Sequence, residues 1–197
     1  MSSGTTHIMA YSEKKAPVVE QEICVKCGFC CDGTMFPRAY LSPGERGSLP
    51  EKIEQSSYTD VDGEYFRLPC EYFNKKCTIY TSGRANVCGE FRCQLLKDFE
   101  AGKLTLDEAT EIIEGATAMR DRLILQYKII SGNNEKIDFR NLFNALGRLQ
   151  NMPSEETLMN NEYDILLAGC NIFEALMIKH IRSKSDFDRM MGEGNQS

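Results

Sequence analysis

Four thiols fall within eight residues in Cys24-Val25-Lys26-Cys27-Gly28-Phe29-Cys30-Cys31, and four more follow at Cys70, Cys77, Cys88 and Cys93. Thiolates at this density bind metal: a structural zinc ion takes four of them, and so does an iron–sulfur cluster. Cys24 with Cys27, and Cys27 with Cys30, form two C-x2-C steps in tandem. Each step lets a turn aim two sulfurs at one point while its N–H groups face the thiolates. Gly28 stands where such a turn asks for positive φ. The run reads as a metal knuckle.

The Cys30-Cys31 doublet complicates a single-site reading, because adjacent side chains of an extended segment point to opposite sides. Two sites, or one site with a ligand taken from an unusual turn, both satisfy it. The run C-x2-C-x2-C matches the opening of the bacterial ferredoxin pattern, but no cysteine here precedes a proline; Cys88 and Cys93 form a C-x4-C pair of the kind zinc takes. Local spacing therefore leaves zinc and iron–sulfur open. A disulfide framework fits poorly, since the chain has an odd total of nine cysteines and the length to fold without staples.

These residues resemble the YkgJ-type cysteine-cluster family of zinc- or iron-chelating domains. Its opening C-x-x-C-G-x-C-C is reproduced by Cys24, Cys27, Gly28, Cys30 and Cys31, and its second half is matched by Cys70, Cys77, Ile79, Tyr80, Arg84, Cys88, Phe91 and Cys93. Ala85 replaces the family's proline after Arg84, and Thr81-Ser82-Gly83 is one residue longer than the family spacer. The resemblance spans residues 24 to 93. It implies eight cysteine ligands to zinc or an iron–sulfur centre, with Tyr80 and Arg84 at the bound group. Flagellin lysine methylases are among the enzymes related to that family, so it also implies an alternative: an iron–sulfur redox or transferase enzyme using the cluster in catalysis.

The rest of the chain must bring two distant cysteine blocks together. Leu41 to Pro50 is rich in turn formers, Glu51 to Gln55 suits a short helical turn, and Asp62-Gly63 between strand-like residues predicts a hairpin. Phe29, Phe36, Tyr72, Phe73, Tyr80 and Phe91 alternate with the thiols, and are expected to form a miniature core that shields them. Lys26, Lys75, Lys76, Arg84 and Arg92 lie near ligands in sequence and can offset thiolate charge.

After Cys93 the pattern turns helical. Thr105-Leu106-Asp107-Glu108 is a capping box, and apolar residues from Leu106 to Ile130 recur at helical spacing until Ser131-Gly132-Asn133-Asn134. A second helix is expected over about Ile137 to Gln150. A third opens at Pro153 and Ser154 and carries a core stripe through Leu158, Tyr163, Leu166, Phe173 and Met177, with a bend expected at Gly169. Cys170 reads as a buried helical cysteine, and His180 and His7 as residues outside the metal site.

The expected fold is mainly α: a small irregular cysteine-rich metal-binding module packed on a helical C-terminal region. The divisions are a lead-in over 1–23, the module over 24–94, helices over 95–182 and a frayed tail over 183–197. With a net charge of −6, nucleic-acid binding is not expected. No stretch approaches a membrane span and no secretory signal is evident, so a cytoplasmic protein with reduced thiols is expected. A metal ion is the partner that the residues imply. No phosphate loop, dinucleotide fingerprint, H-E-x-x-H or nucleophile elbow is present, which leaves catalysis unassigned.

Overall fold

The computed structural model describes residues 18–132, 134–151 and 161–182. Its described residues are mixed and mostly helical, with a small three-stranded sheet. Seven helices are described: α1 (Val18–Cys27), α2 (Glu51–Ser56), α3 (Val87–Glu90), α4 (Gln94–Glu100), α5 (Leu106–Ser131), α6 (Phe139–Asn151) and α7 (Asn161–His180). The strands are β1 (Arg38–Leu41), β2 (Ser57–Asp60), β3 (Gly63–Arg67), β4 (Phe73–Asn74) and β5 (Lys76–Cys77).

α5 is the spine. Its 26 residues give a rod of about 39 Å at 1.5 Å per residue. Both ends are specified locally. The Thr105 hydroxyl accepts from the Glu108 N–H at 3.2 Å while the Glu108 carboxylate accepts from the Thr105 N–H at 2.7 Å, and Gly132 ends the helix with φ of 66°. Ala109, Ile113, Ala116 and Leu123 are its buried face. Gly169 lets α7 approach closely, since a Cβ there would lie 2.7 Å from a Leu123 methyl. α7 runs unbroken through Gly169, so this glycine serves close packing rather than the expected bend. Pro153, Ser154 and Leu158 lie outside the described residues.

The main core joins the helices to the first cysteine block. Ile23, Phe29 and Met35 are buried in the same cluster as Leu95, Leu96, Ile113, Leu142, Leu166 and Phe173. Phe29 meets Phe173 edge to face at 6.0 Å between ring centroids. The expectation of a separate aromatic miniature core is thus corrected for Phe29, whose ring is completely buried among the helices. A long apolar face on α5 and α7 offers far more surface than a knuckle can.

A second, smaller core of Leu41, Ile53, Phe66 and Ala85 lies under the antiparallel sheet, whose strand order is β1-β3-β2. Tyr40, Tyr65 and Tyr58 stand opposite one another across its strands. β2 and β3 form the hairpin expected at Asp62-Gly63. β4 and β5 pair across Lys75, which adopts a φ of 59°.

Candidate metal centre

Cys24 and Cys27 lie on α1, and not in the turn that C-x2-C spacing suggested. The spacing serves either conformation, because residues i and i+3 share a helix face. The turn comes next: Gly28 has a φ of 67°, its N–H reaching the Cys24 carbonyl at 3.1 Å. A Cβ on Gly28 would lie 2.3 Å from the Phe73 ring, so this glycine also admits an aromatic from the second cysteine block.

The second block reaches the first through the backbone, where the Cys70 N–H donates to the Cys31 carbonyl at 2.7 Å. Cys77 lies on β5, Cys88 on α3, and Cys93 is the residue before α4. All eight of these cysteines line one cavity of about 400 Å³, together with Tyr80 and Arg84. None of them is in a disulfide. Cys170 is not among the lining residues; it is fully buried on α7.

Burial is the first cause that raises Cys24, Cys27, Cys30, Cys31 and Cys88, and neighbouring thiols add to it. Burial is the first cause that raises Cys24, to about 11, and the nearby Cys93 thiol is the next. Cys27 is raised by burial and then by Cys93 and Cys24, against the pull of the Phe29 N–H. Burial also raises Cys30 well above the usual thiol range, with Cys27, Cys31, Cys93 and Cys24 adding to it. Burial raises Cys31 as well, and then Cys88, Cys70 and Cys77 do so. Cys88 is pushed up to about 12 by burial, then by Cys70 and Cys77, with Arg84 opposing. Cys24, Cys27, Cys30 and Cys93 are one candidate quartet and Cys31, Cys70, Cys77 and Cys88 the other, with Cys31 also acting on Cys30.

Positive charge attends both quartets. Arg84 draws down both Cys24 and Cys88 and lines the same cavity. It lies 3.8 Å over the Tyr80 ring. Arg92 acts on Cys24 and is itself held by the buried Glu20 carboxylate, with Nε to Oε2 at 2.9 Å. Burial raises the Cys93 thiol, and Lys97, which sequence spacing did not single out, opposes that rise from α4. Those charges favour thiolate over thiol once a cation is present.

His180 lies elsewhere, in a shallow groove with Glu108, Glu111 and Leu176. His7 is outside the described residues. Among the described residues, no group of three or more His, Cys, Asp or Glu side chains is placed to hold a metal ion, and no helix is long and apolar enough to cross a membrane. Compared with family models, curated proteins and solved structures, the chain matches none.

Proposed function

We propose that this is a metal-binding protein whose two cysteine quartets each hold an iron–sulfur centre, so that residues 24–94 act as a metal module supported by the helices. The observation that carries the reading is the convergence of all eight spaced cysteines on one cavity, to the exclusion of Cys170. The YkgJ-type resemblance of residues 24 to 93 supports the same ligand set.

Space and spacing favour iron–sulfur over zinc. Zinc bonded to sulfur at about 2.3 Å draws four thiolates to about 3.8 Å of one another and needs no cavity. A four-iron, four-sulfide core would instead be larger than one ion and would take one cysteine thiolate on each iron, keeping the four sulfurs further apart. The eight thiols border a void of about 400 Å³, room that a cluster core needs and a single ion does not. When bound, such a centre supplies reversible one-electron transfer, its potential set by net charge, hydrogen bonds and exposure. The chain's own part is to keep the ligands reduced, to shield them with Phe29, Phe36 and Phe91, and to offset their charge with Arg84, Arg92 and Lys97.

Anaerobic purification is expected to give a brown protein with iron and sulfide in nearly equal amounts and little zinc, read by elemental analysis and absorption. A colourless protein carrying stoichiometric zinc would remove the iron–sulfur assignment and keep the ligand set. Loading should survive Cys170→Ser, whereas Cys27→Ser should lose the centre of its own quartet, about half of the iron. Because the metal-free thiols titrate high, loading must release protons, and it should weaken as pH falls.

A further inference from the structure

Glu20 is 3% exposed, yet it is not among the residues that line the cavity of the eight thiols. It stands one turn before Cys24 and two turns before Cys27 on α1, the spacing that puts all three on one face of the helix. Its Oε2 lies 2.9 Å from Arg92 Nε, and the two side chains are 4% and 22% exposed. Arg92 directly precedes Cys93, and its Nη1 donates to the carbonyl of Gly89, the residue after Cys88, at 3.1 Å. One guanidinium therefore closes the loop between Cys88 and Cys93 and meets the helix that bears Cys24 and Cys27.

A buried ion pair adds little stability that apolar residues of the same volume would not supply. What it supplies is a fixed arrangement, because a buried carboxylate without its arginine is far worse off than one that has it. Residues Phe91 to Cys93 need such a device. They lie between α3 and α4, outside any helix or strand, so no ladder of backbone bonds sets their distance from α1. Phe91 meets Phe36 edge to face at 5.1 Å between ring centroids, and the Gln94 N–H donates to the Ile181 carbonyl, just past α7, at 3.0 Å. Those two contacts fix the segment from other sides. The Glu20–Arg92 pair fixes it to α1.

We infer that the Glu20–Arg92 pair is a clamp that sets the register of the two cysteine blocks, holding Cys24 and Cys27 against Cys88 and Cys93 before metal arrives. The inference rests on the reading of these cysteines as metal ligands, and on no particular division of them. Glu20 and Arg92 are positioning residues, since neither lines the cavity. The pair is neutral as a unit, so it acts by place, and Arg92 does more than offset thiolate charge. The guanidinium fork is what lets one side chain hold Gly89 and Glu20 together; a lysine keeps the charge and loses the fork.

The test compares full-length wild type, Glu20→Gln and Arg92→Lys, each purified without oxygen and loaded with the metal that wild type carries. The readouts are the rate of metal release to excess chelator, bathophenanthroline disulfonate for ferrous iron or EDTA for zinc, and the far-ultraviolet circular dichroism of the metal-free proteins. The clamp predicts release at least about tenfold faster in both variants, the low end of what residues outside the ligand set contribute to metal sites, with metal-free helicity unchanged. Glu22→Gln, which removes an exposed charge from the same helix, should release metal at the wild-type rate. Charge alone predicts another pattern: slower release in Glu20→Gln, which removes a negative charge near the thiolates, and no change in Arg92→Lys. That pattern would overturn the clamp, and so would lost helicity in metal-free Glu20→Gln, which would assign the pair to the fold alone. A wild-type protein that holds no metal would overturn the metal-binding reading and the clamp with it. Wild-type metal with unchanged release in both variants would overturn only the clamp.

Discussion

Replacing Phe29 by alanine is expected to destabilise the protein by about 3–5 kcal/mol, the range for truncating a fully buried phenylalanine. Its ring has no exposed surface, meets Phe173 at 6.0 Å and lies 5.2 Å from the Arg120 guanidinium carbon. It is also the residue between the Gly28 turn and Cys30, so the cavity left behind would loosen the first quartet's backbone as well as the helix packing. Against a typical domain stability of about 5–15 kcal/mol, the loss is a large fraction. Urea unfolding followed by circular dichroism measures it, and Ile172→Ala is the control. Ile172 is 62% exposed on α7, so its truncation should change stability by no more than about 0.5 kcal/mol. Equal effects of the two changes would show that Phe29 does not join the cysteine segment to the helices.

Arg120→Ala should cost a comparable amount, about 3–5 kcal/mol, because it strands a carboxylate already removed from water. Arg120 pairs with Asp32, and the two side chains are 13% and 17% exposed. Asp32 follows Cys31 and also accepts the Thr34 N–H at 2.8 Å, so the pair ties the end of the first cysteine block to α5. Burial holds the Asp32 carboxyl above its ordinary range in spite of Arg120 and Thr34. A raised folded-state value contributes stability that is present in full below the unfolded carboxylate's pKa and is lost as pH rises through the folded value. Without Arg120 that value rises further, so the deficit should be smallest in acid and grow toward neutral pH. Denaturant midpoints of metal-free wild type and variant across pH 4 to 7 measure it. Arg120→Met, which keeps most of the packing, should retain most of the deficit; full recovery in that variant would assign the effect to packing and not to charge.

Helices with complete end signals were legible in the sequence. The capping box at Thr105 and the glycine at 132 define α5 almost to the residue, and the Asp62-Gly63 dipeptide marks the hairpin. What was ambiguous locally came out differently. C-x2-C spacing suits both a turn and a helix face, and the apolar demand of the core at Ile23 favours the helix for Cys24 and Cys27. Phe29 was expected inside a miniature core because its neighbours in sequence are cysteines; its neighbours in space are Phe173 and the helices. The Cys30-Cys31 doublet hinted at two groups, but which thiols of residues 70–93 lie near which of the first block depends on long-range packing that no local pattern encodes. Arg120 left no signal at all, being one charge on a helix with many and paired with a residue far away in sequence.

The central claim is that each quartet surrounds its own centre, and anomalous diffraction at the iron edge from oxygen-free crystals tests it most directly. The account predicts two separate iron peaks, one bonded by Cys24, Cys27, Cys30 and Cys93 and the other by Cys31, Cys70, Cys77 and Cys88. A single peak shared by cysteines of both quartets, or cystine bridges in place of metal, would contradict it.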